Sequence, residues 1–93
     1  MRTIRRTTSF KKDYKREAKG RHRAALDVDL LRVVELLAND AALPQTYHDH
    51  PLTGEWKDFR DCHVKPDLLL IYRKLGDEYL ELVRLGSHSE LGF

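Results

Sequence analysis

Between His50 and Asp67 the chain reads HPLTGEWKDFRDCHVKPD, which gathers two histidines, a tryptophan, the cations Lys57 and Arg60 and a closing carboxylate around one predicted strand. Imidazole titrates near neutral pH and moves protons in either direction, cations neutralise phosphate, and an indole stacks on a nucleobase. Cleavage of RNA by transfer needs no protein nucleophile. A base removes the 2′-hydroxyl proton, the oxygen attacks the adjacent phosphate, and an acid protonates the departing 5′-oxygen. Two histidines can do this without metal. His63 and Asp67 flank a tight turn, an arrangement that brings a carboxylate beside an imidazole to orient it. His50 lies just before the same strand and His88 just after the last one, in GSHSE. Lys57, Arg60 and Arg84 are the candidate cations for the phosphate.

Each of these residues also has a plainer reading. Asp67 can simply cap its turn beside a surface histidine. Trp56 is either a base-stacking platform or a core anchor. Phe93, the last residue in the sequence, either frays or lies against substrate near His88. His48, His50, His63 and His88 with Asp49 or Asp67 could be imagined around a metal. Their spacing matches no helix-borne zinc pattern, and there is one cysteine, so no metal and no cofactor is expected. Cys62 sits between core positions, which argues against a thiol nucleophile.

Positioning these groups requires a scaffold that the rest of the chain spells out. Residues 2–8 read as a short strand, with Thr8 or Ser9 able to cap the helix that follows. In that helix Phe10, Tyr14 and Ala18 make a thin apolar stripe, Lys11, Lys12, Lys15, Arg16 and Lys19 cover the remainder, and Gly20 ends it. From about His22 to Asn39 a second helix repeats Leu26, Leu30, Val33, Val34 and Leu37, widened by Val28, Leu31 and Leu36. Three strands follow, at 56–64, 68–75 and 78–85. They are joined at Lys65-Pro66-Asp67 and by a two-residue turn at Gly76-Asp77. The fold class is therefore α+β, with two N-terminal helices on one face of a mostly antiparallel four-stranded sheet and the whole chain, 1–93, one domain. Alternation puts Phe59, Asp61 and His63 on one face and Arg60, Cys62 and Val64 on the other. His63 should then look out over the open face.

Charge is distributed unevenly. Residues 1–23 hold ten lysines and arginines against two acids, while residues 24–93 hold seven against thirteen, so a segment of +8 precedes one of −6. Such a basic block attracts polyanions, nucleic acid or ribosomal RNA first among them, or is simply a solvated helix face. No stretch has the apolar length to span a bilayer, and MRTIRR is not followed by a signal-peptide core, so no membrane partner and a cytoplasmic location are expected.

Position by position, His50 to Tyr72 resembles the central signature of the RelE/ParE superfamily of bacterial type II toxins, and within it the YafQ-like mRNA interferases; Gly86-Ser87-His88 is similar to their C-terminal motif. The resemblance covers essentially the whole chain. It departs at the end, where Gly92 stands between Leu91 and Phe93 although the family commonly runs leucine directly into phenylalanine. The resemblance implies a RelE-like fold and an endoribonuclease that cuts mRNA in the A site of the 70S ribosome. It implies acid-base residues at His50, His63, Asp67 and His88, and a residue tied to activity at Trp56. The basic helix would grip ribosomal RNA. The implied partner is a cognate antitoxin, usually a dimer with a DNA-binding half, through which alone operator DNA would be touched. Two other functions stay open at this point: a gyrase-directed toxin on the same scaffold and a non-catalytic RNA-binding module.

Overall fold

A computed structural model describes residues 1–93. The elements run β1 (Thr3–Arg6), α1 (Thr8–Glu17), α2 (Leu26–Ala38), β2 (His50–Pro51), β3 (Arg60–Lys65), β4 (Leu68–Leu75), β5 (Tyr79–Gly86) and α3 (His88–Leu91), with 3-10 turns at Gln45–Tyr47 and Gly54–Trp56. The fold is α+β with a mixed sheet in the order β1-β5-β4-β3-β2. The sheet has five strands rather than four, because the two residues of β2 pair antiparallel with β3. A short third helix carries His88.

The central strands alternate as their residue types demand. Leu68, Leu70 and Tyr72 of β4 join Cys62, Val64, Leu80, Leu82 and Leu85 in one core with Phe10 and the Leu26, Leu30, Val33, Val34, Leu37 stripe of α2. Leu69 and Ile71 point the other way. Val28 and Leu31 do not widen the stripe; they are 62% and 56% exposed on the far side of α2. The next strand begins at Arg60 rather than Trp56, since Gly54–Trp56 closes a 3-10 turn that Gly54 starts at φ +66°. Three residues, 76–78, make the β4–β5 turn rather than two, as Leu75 pairs with Tyr79.

Helix α1 departs most from its pattern. Its cap is Thr7, whose Oγ1 accepts from the Phe10 amide at 3.0 Å and donates to the Val83 carbonyl at 2.7 Å. Helical structure ends at Glu17, short of Gly20. Ala18 is exposed, and the residues buried with Phe10 are the acids Asp13 and Glu17. Glu17 accepts from Arg16 Nε at 2.8 Å, and Asp13 meets β5 where that strand is irregular. The β4–β5 register slips between Ile71 and Tyr72, and Asp13 Oδ2 takes the Leu85 amide at 3.0 Å. Burial pushes the Asp13 carboxyl up, but hydrogen bonds from Arg84 and the Leu85 amide and the charges of Arg84 and Arg16 outweigh it and hold it below the usual carboxylate value.

Candidate active site

The open face of the sheet brings three histidine rings together. His63 extends from β3 opposite Leu69. Its ring centroid lies 5.0 Å from His48, which follows the Gln45–Tyr47 turn, and 5.4 Å from His88 at the start of α3. His48 occupies the left-handed region at φ 48°, unusual outside glycine and a conformation often retained where a side chain must be aimed.

Asp67 serves His88, not His63, which corrects the pairing drawn from their adjacency across the turn. Its Oδ1 accepts from His88 Nδ1 at 2.7 Å and from the His88 backbone amide at 3.0 Å, and Oδ2 accepts from Arg21 at 2.8 Å. The His88 amide and ring, with the Arg21 charge behind them, hold the Asp67 carboxyl at about 2. A carboxylate at Nδ1 requires the proton there, leaving Nε2 for other partners. The loop that offers His88 is fixed locally. Ser87 caps α3 by accepting the Glu90 amide at 3.1 Å while the Glu90 carboxylate accepts the Ser87 amide at 2.8 Å. Gly86 permits Arg16 to lie against the backbone, since a Cβ there would meet Arg16 Nη2 at 2.7 Å.

Another carboxylate, Asp61, shares this face with His63. Asp61 is 4% exposed, and its Oδ1 has no hydrogen-bond partner. His50 Nδ1 is 3.1 Å away but donates instead to the His48 carbonyl at 2.7 Å. Burial drives the Asp61 carboxyl above its ordinary value, opposed by the charges that His50, His63 and His88 can carry. For His63 burial likewise leads, lowering its proton affinity, with Asp61 opposing and His48, His88 and His50 reinforcing. The signal for Asp61 was its parity with His63 on one strand. His48 gave none beyond its residue type, because its place depends on the turn before β2.

The remaining candidates divide by what already holds them. Arg60 lies toward the helix-covered side, where Asp49 accepts from its Nε and Nη2, each at 3.3 Å, and also accepts from Tyr72 Oη at 2.5 Å. Arg84 Nε donates to Asp13 at 2.6 Å. Arg16 bridges Asp13, Glu17 and Glu90 and donates to the Leu85 carbonyl, so it braces the fold instead of joining Lys11, Lys12, Lys15 and Lys19 on the exposed cationic row. Lys57 is exposed and makes no ion pair at the end of the Gly54–Trp56 turn. Trp56 is half-buried against Leu69, Ile71 and Leu91, edge-on to Phe59 at 5.4 Å and 6.3 Å from Phe93. Phe93 is brought there by Gly92, whose φ of 80° turns the chain so that the Phe93 amide donates to the His88 carbonyl at 2.8 Å. Cys62 is fully buried, and burial pushes its thiol up, out of nucleophilic range. No helix is long and apolar enough to cross a membrane.

Comparison with known proteins bears on the fold and the family. The mRNA interferase toxin YafQ of Escherichia coli K12 is 39% identical over 90 residues, which are 95% of this chain and 97% of the relative. The crystal structure of YafQ from E. coli BL21(DE3) superposes with a TM-score of 0.82 at 39% identity, covering 98% of each chain. A chain of the E. coli DinJ-YafQ toxin-antitoxin complex does so with a TM-score of 0.79 at 42% identity, covering 97% of this chain and 96% of that one. The model of the family described as bacterial toxins of type II toxin-antitoxin systems, YafQ, matches residues 2–92, and the chain belongs to that family.

Proposed function

We propose that this chain is a ribosome-dependent endoribonuclease, an mRNA interferase that cuts message by histidine acid-base chemistry and 2′-hydroxyl attack. One observation carries the reading: the His63 ring is within 5.4 Å of both His48 and His88, with Asp61 two residues away on its own strand and Asp67 bound to His88 Nδ1. In the reaction a base takes the 2′-hydroxyl proton, the O2′–P bond forms, the P–O5′ bond breaks and O5′ takes a proton from the acid. The products are a 2′,3′-cyclic phosphate and a 5′-hydroxyl. His63 is the base, since its lowered proton affinity keeps it neutral and receptive near pH 7. His88, steered by Asp67 and free at Nε2, is the acid, and His50 shares the remaining proton traffic. Each well-placed transfer contributes about a hundredfold to ten-thousandfold in rate. Trp56 and Phe93 form an aromatic ledge on which bases stack.

Lys11, Lys12, Lys15 and Lys19 supply the surface that meets ribosomal RNA in the A site of the 70S particle. The chain works in the cytoplasm, is one folding unit over residues 1–93, and is silenced by an antitoxin dimer whose other half binds operator DNA. The E. coli relative solved in a toxin-antitoxin complex supports that partner.

The test is brief expression in a bacterial translation extract with a defined message, mapping new 5′ ends by primer extension with and without ribosomes. Cuts that appear only during translation and vanish in His63→Ala support the reading. Absence of cuts in both conditions overturns it in favour of a gyrase-directed toxin or an RNA-binding module.

A further inference from the structure

The cations that the sequence offered for the phosphate are mostly committed elsewhere. Freeing Arg84 or Arg16 would strand the buried Asp13, and Arg60 is held by Asp49 toward the opposite side of the sheet. Arg21 differs in every respect. It lies in the link between α1 and α2, its side chain is 68% exposed, and its sole ion pair is with Asp67, itself 42% exposed. An ion pair this open to water is weak and readily exchanged.

Position makes that exchange useful. The guanidinium is one carboxylate away from His88, and His88 is 5.4 Å from His63. Beside it opens a cleft of about 520 Å³ with no hydrophobic residue in its wall, bounded by Gly20, His22, Ser87 and Ser89. Glu17 and Glu90 also border the cleft, but both carboxylates are bound by Arg16. The lining suits a solvated ribose-phosphate segment better than a base.

We propose that Arg21 binds a backbone phosphate of the message that flanks the scissile one, leaving Asp67 Oδ2 for a non-bridging oxygen of that neighbouring phosphate. The inference rests on the ribonuclease reading. Arg21 exchanges one anionic partner for another and transfers no proton, while the 2′-proton and the 5′-proton travel through the histidines as above. Asp67 keeps its Oδ1 contacts to the His88 ring and amide, so the imidazole stays aimed during the handover. The guanidinium then holds the strand by a charge-assisted fork on the Nδ1 side of His88, while the reacting phosphate meets Nε2 on the other side of the ring.

The experiment is single-turnover cleavage of a ribosome-bound message at saturating toxin, comparing the wild-type protein, Arg21→Ala and Arg21→Lys, with ribosome affinity and thermal midpoint measured in parallel. Arg21→Ala should slow the saturated rate about tenfold to a hundredfold, through lost strand positioning, without changing affinity or midpoint. Arg21→Lys, a point charge without the fork, should fall between. An uncharged methylphosphonate at the neighbouring backbone position should slow the wild type yet add nothing to the Arg21→Ala defect. A saturated rate for Arg21→Ala within about twofold of wild type overturns the inference, as does a loss wholly explained by weaker ribosome binding. A wild-type protein that leaves the ribosome-bound message intact overturns the ribonuclease reading and this inference together, an outcome distinct from failure at Arg21 alone.

Discussion

On the helix-covered side of the sheet, fifteen buried residues from α1, α2, β3, β4 and β5 pack into one apolar core, whereas the opposite side buries only Leu69, Ile71 and Leu91 and leaves Trp56, Phe59 and Val83 half-covered. That second side also buries a carboxylate, Asp61, with an oxygen that no donor satisfies. A buried charge without a partner lowers stability, and a domain of this size retains one only when its core elsewhere compensates. On the proposed reading, stability belongs to one face and proton chemistry to the other.

Substitutions on the two faces should therefore fail in different assays. His63→Ala should reduce ribosome-dependent cleavage about a hundredfold to ten-thousandfold while the thermal midpoint stays near wild type, as read by primer extension and calorimetry. Retained cleavage in that variant would sink the division. Leu70→Ala, at a position with no exposure, should cost about 2–5 kcal/mol in denaturant melts, and cleavage by the folded fraction should persist.

Asp13→Asn probes the seam between the faces, and roughly 1–3 kcal/mol should be lost at neutral pH. Because the folded Asp13 carboxyl is held below its ordinary value of 3.8, its contribution is present above that value and disappears as pH falls through the folded one. The gap between wild type and variant should thus close in acid, as urea melts across that range would report.

Asp61→Asn should act in the opposite sense. The folded Asp61 carboxyl lies above its ordinary value, so its ionised form is a native-state liability that grows as pH rises through the folded pKa. The variant should gain roughly 1 kcal/mol near neutrality. It also removes the one neighbour that raises His63, so the acid limb of the cleavage profile, already below the ordinary histidine value of 6.5, should move to still lower pH. A limb shifted upward would contradict the role given to His63.

Much of this division was legible in residue order. The alternation of Phe59, Asp61 and His63 against Cys62 and Val64 separated the two faces, and the spacing of Leu26, Leu30, Val33, Val34 and Leu37 named the helix that covers one of them. Strand β4 has the limits that its apolar run indicated. Features set by tertiary contacts were not legible. Nothing in the pattern of α1 marked Asp13 for burial, yet the Leu85 amide donates to its carboxylate where the register of β5 is irregular. Val28 and Leu31 carry the residue types of a core position but face away from the sheet. Asp67 and His63 are near in sequence, but the chain returns through β5 to bring His88 closer to that carboxylate.

The parallel pairing of β1 with β5 has a kinetic meaning. Strands β3, β4 and β5 form a meander whose contacts are local, so it can assemble early and set His63 beside the segment that carries His88. Strand β1 and α1 reach β5 only by closing a loop across most of the chain, as the bond from Thr7 to Val83, 76 positions apart, records. The Asp13 and Arg16 clamp on Leu85 arrives with that closure. Refolding is therefore expected to form the meander, with His88 already tied to Asp67, before β1 and α1 close over Leu85, and stopped-flow signals from the two parts would report that order.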